Sequence, residues 1–323
     1  MTKHHPILRF CFFTLILSII STHTQAAQNG VVERKDVDIH YKIIGEGFPI
    51  VLLSGGPGQN VNALVDIADK LSTSFKIISI DQRGTGKSIL KEVSEKTITL
   101  ANYIADIEAV RKQLGIDRWL IVGHSWGAGL AMAIAGAHPQ HSAGMILIGS
   151  MGIDHTFAQH AFDNLYYSER EKTALKFWST PEELAKNPRR AAYELYRALV
   201  PSRLYVRSDA MKVMSNYVVE VNSRKISKLM FKELLGDKYD FSTKLSNYNK
   251  PVLVVQGRQG FLAGQTLYDL LAPFPNPTLI YIEKAGHFPF AEQPQAFFAA
   301  VDGFLQKHFS PTLTKYTKIH HIE

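Results

Sequence analysis

Short runs of uninterrupted Val, Ile and Leu alternate with stretches of helical spacing along most of this chain. That alternation is what most restricts its fold. The apolar runs fall at 50–53, 76–80, 119–122, 145–148, 251–255 and 279–282. Helical spacing occupies 62–71, 130–137, 265–271 and 294–309, and also 100–114, where Ile104, Ile107, Val110 and Leu114 recur at three- and four-residue steps. A strand that reads as continuously apolar is buried on both faces, so the pattern predicts a parallel sheet with helices on each side. Residues 31–45 alternate instead and predict a β-hairpin at the start.

One stretch breaks the rule. Residues 151–249 read as helical, with no convincing buried strand, which predicts a helical cap inserted after the strand at 145–148. This segment holds 16 Lys and Arg against 12 Asp and Glu, and 14 of the chain's 34 aromatics. The predicted organisation is therefore a core of 27–150 and 250–309, a cap of 151–249 and a polar tail of 310–323.

Residues 1–26 are set apart from the fold. A basic start with Lys3 and Arg9, the apolar run 10–20 and a small-residue ending at Ala26 and Ala27 read as a secretory signal peptide. The run is shorter than the roughly 20 residues that span a bilayer. The expectation is export to the periplasm or the exterior, with no stable membrane insertion after cleavage. Cys11 is the only cysteine of the 323 residues, so the mature chain would have neither disulfides nor a thiolate nucleophile. Removing Lys3 and Arg9 takes the formal charge from +7 to +5, most of it carried by the cap. With 46% apolar and 20% charged residues the composition excludes a disordered chain, and the mixed charge gives no support for a nucleic-acid partner.

Chemistry concentrates at three places. Gly123-His124-Ser125-Trp126-Gly127 lies between a predicted strand and a predicted helix. A serine there sits on a sharp turn with its hydroxyl raised above the sheet, and the following helix aims its amides at any anion that forms. An ordinary βα turn capped by serine would use the same residue types. Ser54-Gly55-Gly56-Pro57-Gly58 follows another core strand and lets bare backbone approach a substrate. The Gly56 and Trp126 amides are the expected oxyanion donors. His287, in Lys284-Ala285-Gly286-His287-Phe288-Pro289 after the last strand, is placed to act as general base for Ser125. His124 beside the nucleophile is expected to pack or to hydrogen-bond locally.

These segments, with DQRGTGKS at 81–88 and AGHFPFAEQP at 285–294, resemble the α/β-hydrolase fold family, and within it the proline iminopeptidase branch. The resemblance covers 31–309. It implies a mostly parallel eight-stranded sheet with a helical cap after strand six, and hydrolysis of an ester or amide through a serine nucleophile without cofactor or metal. Three positions depart from the pattern. Ser54 stands where the family has histidine before the glycines. Gly260, in Gly257-Arg258-Gln259-Gly260, stands where it has the catalytic aspartate. Arg197 and Met214 stand where the iminopeptidases place cap glutamates that grip a free amine.

Without the acid, three arrangements are open. Asp154 could supply a surrogate carboxylate, although it would equally cap the first cap helix. Ser125 and His287 could act as a weak dyad. The chain could also be a relative that binds a small ligand and no longer turns over. The leading expectation is an exported serine hydrolase acting on a small ester or amide that carries an acidic group, with iminopeptidase-like action as the alternative within enzymes. Gly84-Thr85-Gly86-Lys87-Ser88 imitates the end of a P-loop, but Asp81 occupies the required first glycine. No dinucleotide fingerprint and no zinc motif is present. Asp81 and Arg83 are expected to brace their loop.

Overall fold

The computed structural model describes residues 27–262 and 264–318, so the segment read as a signal peptide lies outside the described residues. Eight strands form one sheet: β1 (Gln28–Glu33), β2 (Asp38–Ile44), β3 (Pro49–Leu53), β4 (Lys76–Ile80), β5 (Trp119–His124), β6 (Ser142–Ile148), β7 (Val252–Gly257) and β8 (Thr278–Ile282). Their spatial order is β1-β2-β4-β3-β5-β6-β7-β8. Only the β1–β2 and β2–β4 pairs are antiparallel, which places the predicted hairpin at one edge. All other pairs are parallel.

The core helices are α1 (Val65–Leu71), α2 (Leu100–Gln113) and α3 (Trp126–Ala137). Between β6 and β7 come α4 (Phe157–Asp163), α5 (Glu169–Trp178), α6 (Pro181–Lys186), α7 (Pro188–Leu199), α8 (Ala210–Val213), α9 (Ser223–Gly236) and α10 (Ser242–Leu245), with no named strand among them. The chain closes with α11 (Gln265–Leu271), α12 (Pro289–Glu292) and α13 (Pro294–Lys318). The last of these runs beyond the predicted 294–309 into the segment read as a tail. Among the described residues no helix is long and apolar enough to cross a membrane.

Strands β3, β5 and β7 are buried at every residue. Their side chains divide with period two onto the two faces. Val51, Leu53, Ile121, Met145, Leu147, Val252 and Val254 join one apolar cluster with α2, α3 and α9. Ile50, Leu52, Leu120, Val122, Ile146, Ile148, Leu253 and Val255 join the other, with α1 and α13. The unbroken apolar runs are thus what a sheet covered on both sides requires.

The cap is seated by α9. Ile226, Met230 and Leu234, one face of that helix at four-residue spacing, are buried in the first cluster. Glycine at 84 gives room for this contact, because a Cβ there, at φ +81, would strike the Ile226 side chain. Glu220 adds a polar tie, since its Oε1 accepts from Asn60 Nδ2 at 3.1 Å and from the Gly86 amide at 2.9 Å. The loop that imitates a P-loop therefore spends an amide on a carboxylate of its own chain.

Candidate active site

The strand order makes the site. β3 lies between β4 and β5, so the chain leaves it toward one neighbour while the other arrives later. The carboxyl ends of β3 and β5 flank this switch point, where open α/β sheets bind ligands. Leu53 is in register with Gly123, which brings the loop 54–58 beside the turn at Ser125.

Ser125 is one of three described non-glycine residues with positive φ, at φ 56 and ψ −117. The turn is held because its amide donates to Ile148 O at 2.9 Å, at the end of the adjacent strand. The flanking glycines are sterically required. A Cβ on Gly123 would run into the Gly127 carbonyl, and a Cβ on Gly127 would run into the carbonyls of Leu53 and Ser54. Ser125 is also the cap position of α3 and makes no side-chain cap bond, so its hydroxyl is not spent on the helix. Trp126 is the first residue of α3, and an amide there has no acceptor within its own helix.

The loop 54–58 is held from below. Ser54 Oγ donates to Gln59 O at 2.9 Å. Gln82 Nε2 donates to Ser54 O at 3.1 Å and to Ser54 Oγ at 3.0 Å, and Gln82 Oε1 accepts from the Trp126 indole at 3.0 Å. Buried Gln82 therefore ties the two stretches that carry Gly56 and Trp126. Gly56 adopts φ +40. Serine at 54 fits this network as a small hydroxyl, and the structure gives the departure from histidine a local role.

His287 is buried, with its backbone amide donating to Arg203 O at 2.8 Å. Its carbonyl accepts from His124 Nε2 at 2.9 Å, and the two rings lie 4.8 Å apart. His124 thus bonds and packs locally, as its position suggested. Burial pushes the His124 imidazole down to about 4. Burial also holds His287 well below the ordinary histidine value, with His124 and Arg203 adding to the effect. Both rings are neutral at pH 7, the state a general base needs.

No carboxylate among the described residues is hydrogen-bonded to His287 Nδ1. His287 Nδ1 is buried and has no hydrogen-bond partner among the described residues. Asp154 does not fill the place. Its Oδ1 accepts from Thr156 N at 2.8 Å and Thr156 Oγ1 at 2.6 Å, a local turn ahead of α4. The Nδ1 atom faces Gly149, where a Cβ would stand 3.2 Å away. At Gly260 a Cβ would meet Gln256 Nε2, and both polar atoms of that buried amide are themselves unpartnered.

Ser125, His287, Gly56 and Trp126 line one cavity of about 770 Å³ beneath the cap. Its wall is mainly apolar. Among the described residues that line it, the charged ones are Lys176, Arg203, Arg224 and Lys228, with no carboxylate. The two cap positions taken from the resemblance are elsewhere. Arg197 pairs with Glu194 at 3.0 Å with 44% of its side chain exposed, and Met214 is buried in the second cluster. Among the described residues no group of three or more His, Cys, Asp or Glu is placed to hold a metal ion. Sequence reasoning gave no role to Arg203, Gln82 or Gln256; Gln82 lies within the 81–88 segment, whereas Arg203 and Gln256 lie in no motif and are brought in by folding alone.

Comparison with known proteins agrees with the fold. Over 105 residues the chain is 40% identical to the proline iminopeptidase of Neisseria gonorrhoeae, 32% of this chain and 33% of that one. It thus spans about a third of the length of that relative. Over 301 residues it is 27% identical to the proline iminopeptidase of Xylella fastidiosa, covering 83% of this chain and 93% of the other. The solved proline iminopeptidase of Mycobacterium smegmatis superposes with a TM-score of 0.65 at 22% identity, over 87% of this chain and 98% of that one. A family model described as alpha/beta hydrolase fold matches residues 49–294, and the chain belongs to that family, related within it to proline iminopeptidases.

Proposed function

We propose that this α/β-hydrolase is an exported serine hydrolase that cleaves a small ester or amide. Ser125 Oγ attacks the carbonyl carbon and His287 takes its proton. The Gly56 and Trp126 amides receive the oxyanion. The C–O or C–N bond then breaks, the leaving group takes the proton from His287, and water releases the acyl group by the same route. No cofactor or metal enters these steps.

The observation that carries this reading is Ser125 itself. A serine held at positive φ costs about 1–3 kcal/mol, and such strain is kept where function repays it. This one opens into the cavity that His287 also lines. The test is covalent labelling by a fluorophosphonate probe, with Ser125→Ala as control. Labelling that disappears in the variant is expected, and a folded protein that does not label sinks the reading.

The unpartnered Nδ1 of His287 favours a second reading, a relative that binds a small ligand without turnover. Ligand retention by Ser125→Ala combined with absence of labelling in the parent protein separates it. Iminopeptidase action is the weaker alternative, because no acid among the described lining residues is available to grip an amine. Export rests on residues 1–26 and is tested by the N-terminal sequence of the protein recovered from its host, expected to begin at Ala27 or Gln28.

A further inference from the structure

We propose that Arg203 is the anchor for a carboxylate on the leaving group, so that the substrate is an amino or hydroxy acid acylated by an apolar chain. This rests on the hydrolase reading above and specifies its substrate class.

Arg203 is the cavity cation nearest the chemistry. Its carbonyl holds the His287 amide at 2.8 Å, which fixes its backbone to the histidine loop. Its guanidinium carbon lies 5.7 Å from the centre of the Phe261 ring, and that ring is 4.7 Å from the His287 ring. The charge bears on His287, Tyr196 and Tyr217 alike. Arg203 forms no ion pair among the described residues, its buried Nε has no partner, and the buried Tyr217 hydroxyl is also unpartnered. An arginine beside a mostly apolar cavity, with a donor left open, is a site built for a planar anion.

Position decides which half of the substrate carries the anion. His287 delivers its proton to the leaving group, so that group departs along the histidine side, where Arg203 stands. The acyl half then occupies the apolar remainder under the cap, between residues such as Phe157, Leu195 and Phe231. Lys176, Arg224 and Lys228 are exposed lining residues with no ion pair among the described residues, and they add a positive field that draws anions in. For an acyl amino acid the reaction balances as water plus substrate giving a carboxylic acid and the free amino acid. The C–N bond breaks and the amine receives the proton held by His287.

The experiment uses N-octanoylglycine and its primary amide, which differ only in the anionic oxygen. Binding to the Ser125→Ala protein is measured by calorimetry, and turnover by the parent protein is followed in parallel. A charge-assisted pair of this kind predicts a preference for the acid of about tenfold to a hundredfold. Arg203→Gln should erase the difference between the two ligands, and Arg203→Lys should restore part of it. Equal binding of acid and amide, no binding of either, or a preference that survives Arg203→Gln would overturn the assignment. Fluorophosphonate labelling reports separately on the hydrolase reading. Labelling without acid preference removes only the carboxylate anchor. Acid preference without labelling removes the hydrolysis and leaves a carboxylate-binding pocket.

Discussion

The side-chain amide of Gln256 occupies the space that a side chain on Gly260 would enter, and neither polar atom of that amide has a partner. Glycine at 260, where the family resemblance leads one to expect an aspartate, is therefore matched by a filled neighbour. Gly260→Asp alone makes the end of the buried Gln256 side chain shift and places a carboxylate in a buried position, so it should lower stability. Gly260→Asp combined with Gln256→Ala opens the room. The double variant should label faster with fluorophosphonate than the parent, by tenfold or more. Loss of the triad acid in a serine protease costs on the order of 10⁴ in turnover, which bounds the possible gain. A well-folded double variant with an unchanged labelling rate would show that His287 is already oriented by other means.

The strain at Ser125 can be released by the one residue that tolerates its backbone. At φ 56 and ψ −117 a glycine pays no Cβ penalty. Ser125→Gly is expected to raise the unfolding free energy by about 1 kcal/mol while abolishing labelling. Chemical denaturation of the two proteins measures it. Equal or lower stability would mean that the turn holds no strain.

Two histidines held neutral make stability depend on pH with a definite sign. The unfolded chain binds protons at His124 and His287 below about pH 6.5, and the folded chain does not until well below that, about 4 for His124. The unfolded state thus holds more protons as the pH falls. The contribution of these rings is complete above 6.5 and is lost progressively beneath it, at up to about 1.4 kcal/mol per pH unit for each ring. Denaturation curves at pH 7 and pH 5 should show the drop, and His124→Gln should flatten part of it. The acid limb of the labelling rate should likewise fall below 6.5, since His287 stays neutral there. An acid limb above 6.5 would contradict the burial of that ring.

Most of the core was legible in the sequence because its physics is local. A strand buried on both faces reads as a continuous apolar run, and the centres of β3, β5, β6 and β7 do, at Ile50–Leu53, Trp119–Val122, Met145–Ile148 and Val252–Val255. The turn at Ser125 was legible because two glycines are the only residues its crowded backbone admits. Arg203 was not, because nothing in its neighbours in sequence marks it. Its meaning comes from an open buried Nε and the lack of an ion pair among the described residues, which only the folded arrangement displays. Gln256 was hidden for the same reason, since it ends a run of buried strand residues and reads as part of one. Arg197 and Met214 were named from the resemblance alone, and neither lines the cavity in the folded chain. Asp154 was a reasonable surrogate by position, but an adjacent threonine satisfies a carboxylate more cheaply than a histidine across a loop.

Arg83 is the brace beneath all of this, and it gives the sharpest separation of support from chemistry. Only 1% of its side chain is exposed, and it donates to Asp106 at 2.7 and 2.9 Å, to Asp36 at 3.0 Å and to Thr97 O at 2.6 Å. Its neighbour Gln82 ties Ser54 to Trp126. Arg83→Met leaves Asp106 with only the half-exposed Arg34, at 3.1 Å, and should cost about 3–5 kcal/mol. Replacing Asp106 with leucine in the same chain removes the stranded charge and should recover most of that loss. Labelling should follow a different course if the ion pair also positions the oxyanion loop through Gln82. The rate then falls in Arg83→Met at a temperature where the protein is still folded, and stays low in the double variant despite restored stability. Recovery of both together would mean that Arg83 serves the fold alone.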